Sequence, residues 1–436
     1  MDYDVVIIGA GAAGALAARE LGRAGRSVAL LEARDRLGGR MHSAVNARAL
    51  SPIELGAEFV HGRPAVTYGL LREFGATVVD DAEGSFSVRD GALRATQGDV
   101  FEDVGTLLAT ALERDTDETV EALIARESRD PASREAGVWT RRLVSGFDAA
   151  DPARASARAI AQEWTSDASA EGAQSRPLGG YAPLVAHLGR SLDPARVDLQ
   201  LETVVTRVVR EAQSVRVDAR AHNRDVAYRA RRAIVTVPHG VLLAEPGATG
   251  AIVFEPPLPA TTRDAIGYIA MGPVVKVVLC FEAAFWETLN GAAWRDGAFF
   301  IGDGAFPTLW TQLPVRANTL VAWAGGPYAE RLVEKSEDER IDIALACTGR
   351  YFGDVRAAEN AFESAYTHDW ERDPFARGAY SYVLVGGERA HAALATPIDD
   401  VLWFAGEATA SAGEGGTVAG ALESGLRAAR EILALL

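Results

Sequence analysis

Three glycines, one acid and one lysine carry most of the chemistry that this sequence offers. Gly9, Gly11 and Gly14 are spaced G-x-G-x-x-G, and Glu32 closes the next apolar run. The first glycine of such a set allows a tight turn, the second lets a pyrophosphate approach the backbone, and the third lets helix and strand pack closely. An acid placed like Glu32 accepts hydrogen bonds from an adenosine ribose, so the set as a whole binds a dinucleotide. The lysine is Lys276, inside "GPVVKVVLCFEAAFW". The chain has only one other lysine, Lys335, so nearly all of its positive charge is arginine. A buried ammonium without a partner is costly or titrates to neutral, which makes this position a question.

The elements that must position these residues follow from hydrophobic period. Residues 5–8 form a short β-branched run that predicts a buried parallel strand. Residues 12–21 predict a helix ended by Gly25, and residues 27–31 a second strand, which completes a βαβ unit. The helix N-terminus would offer its free N–H groups and positive dipole end to phosphates. Around Lys276, "VVKVVLCF" predicts a strand on which residues 276, 278 and 280 share one face. From the residues alone, Lys276 fits an edge strand facing solvent, a buried ion pair, or a functional ammonium.

Composition narrows the function classes. The chain has 436 residues, 48% hydrophobic and 24% charged, which predicts two or three ordinary globular domains. A net charge of -16 argues against nucleic acid as a partner. Two cysteines, Cys280 and Cys347, exclude a disulfide framework. The histidines lack metal-ligand spacing, so no metal is expected. No apolar run is long enough to span a bilayer, and Met1 leads directly into "DYDVVIIGAG", so a cytoplasmic protein with no membrane partner is expected.

A glycine pair, Gly38 and Gly39, and Arg40 follow the ribose acid in "EARDRLGGR". This segment resembles the second phosphate-side motif of FAD-dependent oxidases. Further along, "PIELGAEFVHG", "RPLGGYAPLVAHL", "LETVVTRVV", "AIVTVPHGVL", "FEPPLP", "ERDPFARGAYSY" and "LWFAGEATA…GEGGTVAGALESGLRAAREIL" occur in order. Together they resemble the flavin amine oxidases, the family of monoamine oxidases, polyamine oxidases and flavin histone demethylases. The large insertion of the histone demethylases is absent, so a chromatin role is not expected.

The resemblance implies an α/β fold with an α+β substrate domain. A Rossmann-type FAD-binding domain would be assembled from residues 1–82, 177–255 and 376–436. The substrate-binding domain would comprise residues 83–176, which read as polar and helical, and 256–375. FAD would be held noncovalently, because Ala379 stands where monoamine oxidases carry the cysteine bonded to flavin. The matched cofactor positions are Gly9, Gly11, Ala13, Gly14, Glu32, Ala33, Arg34, Gly38, Gly39, Arg40, Gly56, Ala57, Val205, Gly406, Glu407, Thr417 and Val418. The residues themselves place Glu407 at a strand's carboxyl end and start a final helix at Thr417, whose dipole would favour a reduced, anionic flavin.

The resemblance also assigns the chemistry. Lys276 matches a lysine that holds a water against flavin N5, Tyr380 one wall of a substrate cage, and Thr417 the position of the second wall. The reaction implied is hydride removal from the carbon next to an amine, imine hydrolysis, and reoxidation by O₂ to hydrogen peroxide. Threonine at 417 leaves the aromatic cage of the monoamine oxidases incomplete and resembles the polyamine oxidase and histone demethylase side of the family, so a polyamine is the expected substrate. His61 and Glu58 are the substrate-binding candidates, Glu58 for a distal ammonium. A monoamine oxidase, an L-amino-acid oxidase or related desaturase, and a catalytically silent FAD scaffold are the alternatives. A monomer or homodimer is expected.

Overall fold

The structure, a computed structural model, describes residues 2–46, 48–82, 84–89, 91–96, 98–166, 174–410 and 413–436. Two sheets organise these residues. The first has eight strands. Its parallel part runs Val197–Gln200, Val28–Leu31, Tyr3–Ile8, Arg224–Val235 and Leu402–Phe404. Thr203–Arg210 and Val215–Ala221 extend it as an antiparallel meander, and Val253–Glu255 ends it. The parallel strands at its centre are covered on both faces, which is why "VVII" and "VALL" are continuously apolar instead of alternating.

Helices Ala12–Arg23 and Val418–Leu433 pack together against one face of this sheet. Their crossing is close because a side chain at Gly425 would lie 2.2 Å from the Ala13 carbonyl oxygen. The first and last segments of the chain are thereby joined, as an α/β dinucleotide-binding fold requires.

The second sheet has seven strands, in the order Phe362–Thr367, Val274–Phe281, Thr319–Gly325, Thr308–Trp310, Phe299–Ile301, Ser85–Arg89 and Ala92–Ala95. The lysine strand Val274–Phe281 is buried throughout and paired on both sides, so Lys276 is not on an edge. Its two faces serve different cores. Val275, Val277, Leu279 and Phe281 pack with Trp286, Phe300 and Phe352. Val278 and Cys280 face the other way, onto Ile53 and Leu55. Lys276 shares that second face and so points toward the 52–62 segment.

Residues 83–176 differ from their expected helical character at the start. Ser85–Arg89 and Ala92–Ala95 form a hairpin that extends the second sheet. Phe86, Val88 and Leu93 press onto its core, and the alternation in "SFSVRDGALRA" is the period-2 signal that identifies them. Helices begin only at Val100–Ala109, followed by Val120–Glu127, Pro131–Gly146 and Ala157–Trp164. Each starts where Asp99, Thr119, Asp130 or Ser156 accepts a hydrogen bond from a first-turn N–H.

Two small pairings stitch the halves of the molecule. Gln174–Pro177 lies between Val60–His61 and Val78–Asp80. Ile269–Gly272 pairs antiparallel with Tyr380–Val383. Among the described residues, no helix is long and apolar enough to cross a membrane.

Candidate active site

The glycine cradle is built by exclusion. Gly9 has φ +102°, and a side chain there would meet Thr236 Oγ1 at 2.8 Å. The Thr236 hydroxyl hydrogen-bonds the carbonyls of Ile8 and Gly9 at 3.0 and 2.8 Å, a contribution no motif announced. A Cβ at Gly14 would fall 1.9 Å from the Gly9 carbonyl oxygen, whereas a Cβ at Gly11 meets nothing within 4 Å. Gly14 is therefore required by the protein's own packing, and Gly11 borders open space. The helix that follows has no side-chain cap at Gly11, so its first N–H groups, Ala13's among them, are available to an anion. This combination fits a pyrophosphate.

Glu32 is buried, with its oxygens accepting from the N–H groups of Ala10 (2.8 Å) and Arg34 (2.9 Å). Carboxylate oxygens have lone pairs left for a ribose. Ala33 lies between, and Arg34 is held by Asp373 through two 2.8 Å contacts. Val205 stands on the strand that leaves this corner, where the Thr203 N–H donates to the Glu32 carbonyl. Gly38 and Gly39 take φ +99° and +57° to turn the chain back toward Gly11. Arg40 then donates to Glu407 Oε1 at 3.0 Å and to the Ala379 carbonyl at 2.6 Å. The second Glu407 oxygen accepts from Ser381 Oγ at 2.6 Å and from the Gly416 N–H at 3.1 Å. Burial raises the Glu407 carboxyl, but Arg40 and the Ser381 bond outweigh it and hold it below its usual value.

Lys276 reaches across from the other sheet. Its Nζ donates to Glu58 Oε2 at 2.8 Å and to the Gly56 carbonyl at 3.1 Å, with the Trp310 ring 5.7 Å away. Gly56 is pressed against Arg40, since a Cβ there would lie 1.8 Å from the Arg40 carbonyl oxygen, to which Ala57 N–H also donates. Glu58 requires a correction. Expected to meet a substrate ammonium, it is instead engaged with protein donors on both oxygens. Oε1 accepts from Arg176 Nε (3.1 Å), Trp310 Nε1 (3.0 Å) and Gln312 Nε2 (3.0 Å). Burial would raise this carboxyl, but Lys276 and Arg176 bring it down to about 2. Arg176 was not singled out by sequence; it also pairs with Asp81 and lies 4.2 Å over the Phe59 ring.

Tyr380 and Thr417 come together at the start of the final helix. The Tyr380 ring lies against Gly416, and its hydroxyl donates to the Phe147 carbonyl at 2.6 Å. Thr417 caps the helix, accepting from Gly420 N–H at 2.9 Å and donating to the Glu414 carbonyl at 2.8 Å. Val418 is the helix's first residue, and Gly406, at φ +137°, donates its N–H to Ser424 Oγ. The His61 ring meets Phe147 edge-on at 5.3 Å, and burial lowers it to about 4, so it is neutral near pH 7.

Two further carboxyls lie near Tyr380 and the Gly415–Gly416 turn. Asp148 is buried and accepts from Trp164 Nε1 at 3.2 and 3.3 Å. Burial first, then the nearby Glu163, pushes its carboxyl well above the usual range. Glu163 lies beside Gly415, where an added Cβ would be 3.0 Å from its Oε1. Burial and then Glu407 raise it to about 7. Burial and the adjacent Asp148 also push up Tyr380. Outside them, Phe101 stacks on Trp164 at 5.7 Å, and Phe147 packs on both. In sequence these acids are ordinary members of a charged helical stretch. Their one signal is adjacency to aromatics, in "GFD" and "EW".

The chain matches the family model described as flavin containing amine oxidoreductase over residues 12–433. It is 29% identical to polyamine oxidase 4 of Oryza sativa subsp. japonica, covering 98% of this chain and 88% of the relative. It is 26% identical to putrescine oxidase of Kocuria rosea, covering 99% and 95%. Among solved structures, wild-type putrescine oxidase bound to putrescine superposes with a TM-score of 0.82 at 25% identity, covering 100% of this chain and 99% of that one.

Proposed function

Because the chain belongs to the flavin containing amine oxidoreductase family, and is thus a flavin-dependent amine oxidase with FAD as cofactor, we propose that its substrate is a di- or polyamine. The observation that carries this reading is the placement of two buried carboxyls near Tyr380: Asp148 follows Phe147, whose carbonyl takes the Tyr380 hydroxyl, and Glu163 adjoins Gly415, next to the Gly416 that the Tyr380 ring lies against. Burial raises both carboxyls, with Glu163 adding to the effect on Asp148 and Glu407 to that on Glu163, and a cation placed beside them favours their charged forms. A substrate with a second ammonium supplies that cation, and the relatives named for polyamine and putrescine oxidation agree.

When bound, FAD supplies a two-electron acceptor for the hydride of the carbon beside the amine. The chain's own residues do the rest. Tyr380 and the Gly416–Thr417 turn wall the reacting amine. Neutral His61 and Phe147 line the approach without adding positive charge against a cationic substrate. Asp148 and Glu163 hold the distal ammonium, setting which C–H faces the acceptor. Lys276 holds a water by its remaining N–H. The net reaction takes amine, O₂ and water to carbonyl compound, released amine and H₂O₂.

Anaerobic mixing of the yellow protein with putrescine, spermidine, spermine, a phenylalkyl monoamine and L-amino acids tests this. Diamines or polyamines should bleach the flavin fastest, and bleaching by the monoamine or an amino acid alone would end the proposal. Asp148→Asn should raise KM for the best diamine about tenfold or more, the weight of about 1.4 kcal/mol, with a smaller change in kcat. The pH dependence has a definite sign. Glu163 is raised to about 7, so it gains charge as pH rises through 7, and diamine kcat/KM should climb across that interval. Glu163→Gln should flatten that rise, and an unchanged profile would remove Glu163 from the site.

A further inference from the structure

The sequence poses a lysine in an apolar strand, and the fold answers with a carboxylate from the other half of the molecule. Lys276 and Glu58 are 3% and 7% exposed, and their contact is 2.8 Å. The two oxygens of Glu58 are not equivalent. Oε1 takes three donors, Arg176, Trp310 and Gln312, which fixes the carboxylate plane and leaves Oε2 for Lys276. Lys276 spends a second N–H on the Gly56 carbonyl. An ammonium has three N–H donors, so one remains.

We propose that Glu58 is a positioning residue for the flavin reaction: it keeps Lys276 an ammonium and aims its third N–H, making the lysine a fixed charge and donor instead of a proton acceptor. A neutral amine beside a buried carboxylate would leave that carboxylate short of a partner, the costly arrangement for a desolvated charge. The charged groups around the pair agree. Lys276 pulls down the Glu54 carboxyl, which burial leaves raised overall, while Arg176, itself braced by Asp81, holds Glu58 from its far side. On the neighbouring strand, Trp323 stands opposite Lys276 and adds no charge. The substrate's proton must then go to a group other than Lys276.

The proposal rests on the flavin reading but not on the choice of amine, so its test uses none. Absorption spectra of the resting yellow protein are recorded from about pH 6 to about pH 10, below the ordinary lysine value. The wild type should show no proton-linked flavin change assignable to Lys276. Glu58→Gln removes the anion while keeping the shape, so Lys276 should lose its proton inside this window and the spectrum should show one such transition. The double variant Glu58→Gln, Lys276→Met should lack it. A flat Glu58→Gln titration, or a transition that survives in the double variant, overturns the proposal. If Glu58→Gln does not retain flavin, Glu58→Asp decides in its place: its carboxylate is drawn back, so a Lys276-dependent transition should enter the window, and a flat curve is negative. A merely structural Glu58 would change the melting temperature without creating a titration. A failed amine panel leaves this result untouched, so the two readings fail separately.

Discussion

Lys276→Met is expected to slow bleaching of the flavin by the best amine about a hundredfold or more, while the purified protein stays yellow. The magnitude is that of removing one fixed donor from a water-excluded reaction site, about 10²–10³ in rate. Methionine keeps the stem length and lies readily against Val278, Trp310 and Val321, so the sheet has no packing reason to change. Stability should nonetheless fall, because Glu58 is left buried without its closest cation. Breaking a buried pair from one side costs about 3–5 kcal/mol. The lower part of that range is expected, since Arg176, Trp310 and Gln312 still satisfy Oε1. Stopped-flow bleaching, with a thermal melt of the same sample, separates the two effects. Wild-type bleaching by the variant would mean that Lys276 is a structural ion-pair partner and nothing more.

The second large effect is expected at Gly14. A methyl group there would lie 1.9 Å from the Gly9 carbonyl oxygen, a backbone atom that cannot withdraw without moving the turn, and 2.7 Å from Thr236 Oγ1. Gly14→Ala should therefore give a protein that purifies colourless and melts at lower temperature even without cofactor. Gly11→Ala provides the contrast. Its added Cβ meets no protein atom within 4 Å, so the apoprotein should melt as the wild type does, yet fail to retain flavin where a pyrophosphate approaches the backbone. Equal apoprotein stability for the two variants would contradict the packing argument. Retention of flavin by Gly11→Ala would move the phosphates away from this turn.

The dinucleotide cradle was legible because its parts are local. Strand, turn, helix and acid lie within one βαβ unit, Gly14 answers to the Gly9 carbonyl a few residues away, and Gly11 borders open space. Thr236 and Asp373 were not legible, although they brace Gly9 and Arg34, because each arrives from a distant segment. The paired strands Ser85–Arg89 and Ala92–Ala95 were legible by their alternation, although the expected character of residues 83–176 was helical. Asp148 and Glu163 were hidden for a different reason. A carboxylate on a charged helical stretch reads as a solvated face, and only packing against Trp164 and Tyr380 makes these two unusual.

Lys276 shows where the boundary falls. Its strand, its burial and the face it shares with Val278 and Cys280 follow from the run "VVKVVLCF", because a period of two and an apolar composition are properties of neighbouring residues. Its partner is 218 positions away. Whether a buried ammonium is charged depends on which carboxylate faces it, and that in turn on how the 52–62 segment and the strand Gln174–Pro177 bring Glu58 and Arg176 together. The sequence by itself determined the family, the glycine turn of the first βαβ unit and the presence of a buried lysine. The tertiary structure alone decided that Glu58 pairs with that lysine and that Asp148 and Glu163 lie near Tyr380, because the field at a buried charge is set by distance in space and not along the chain.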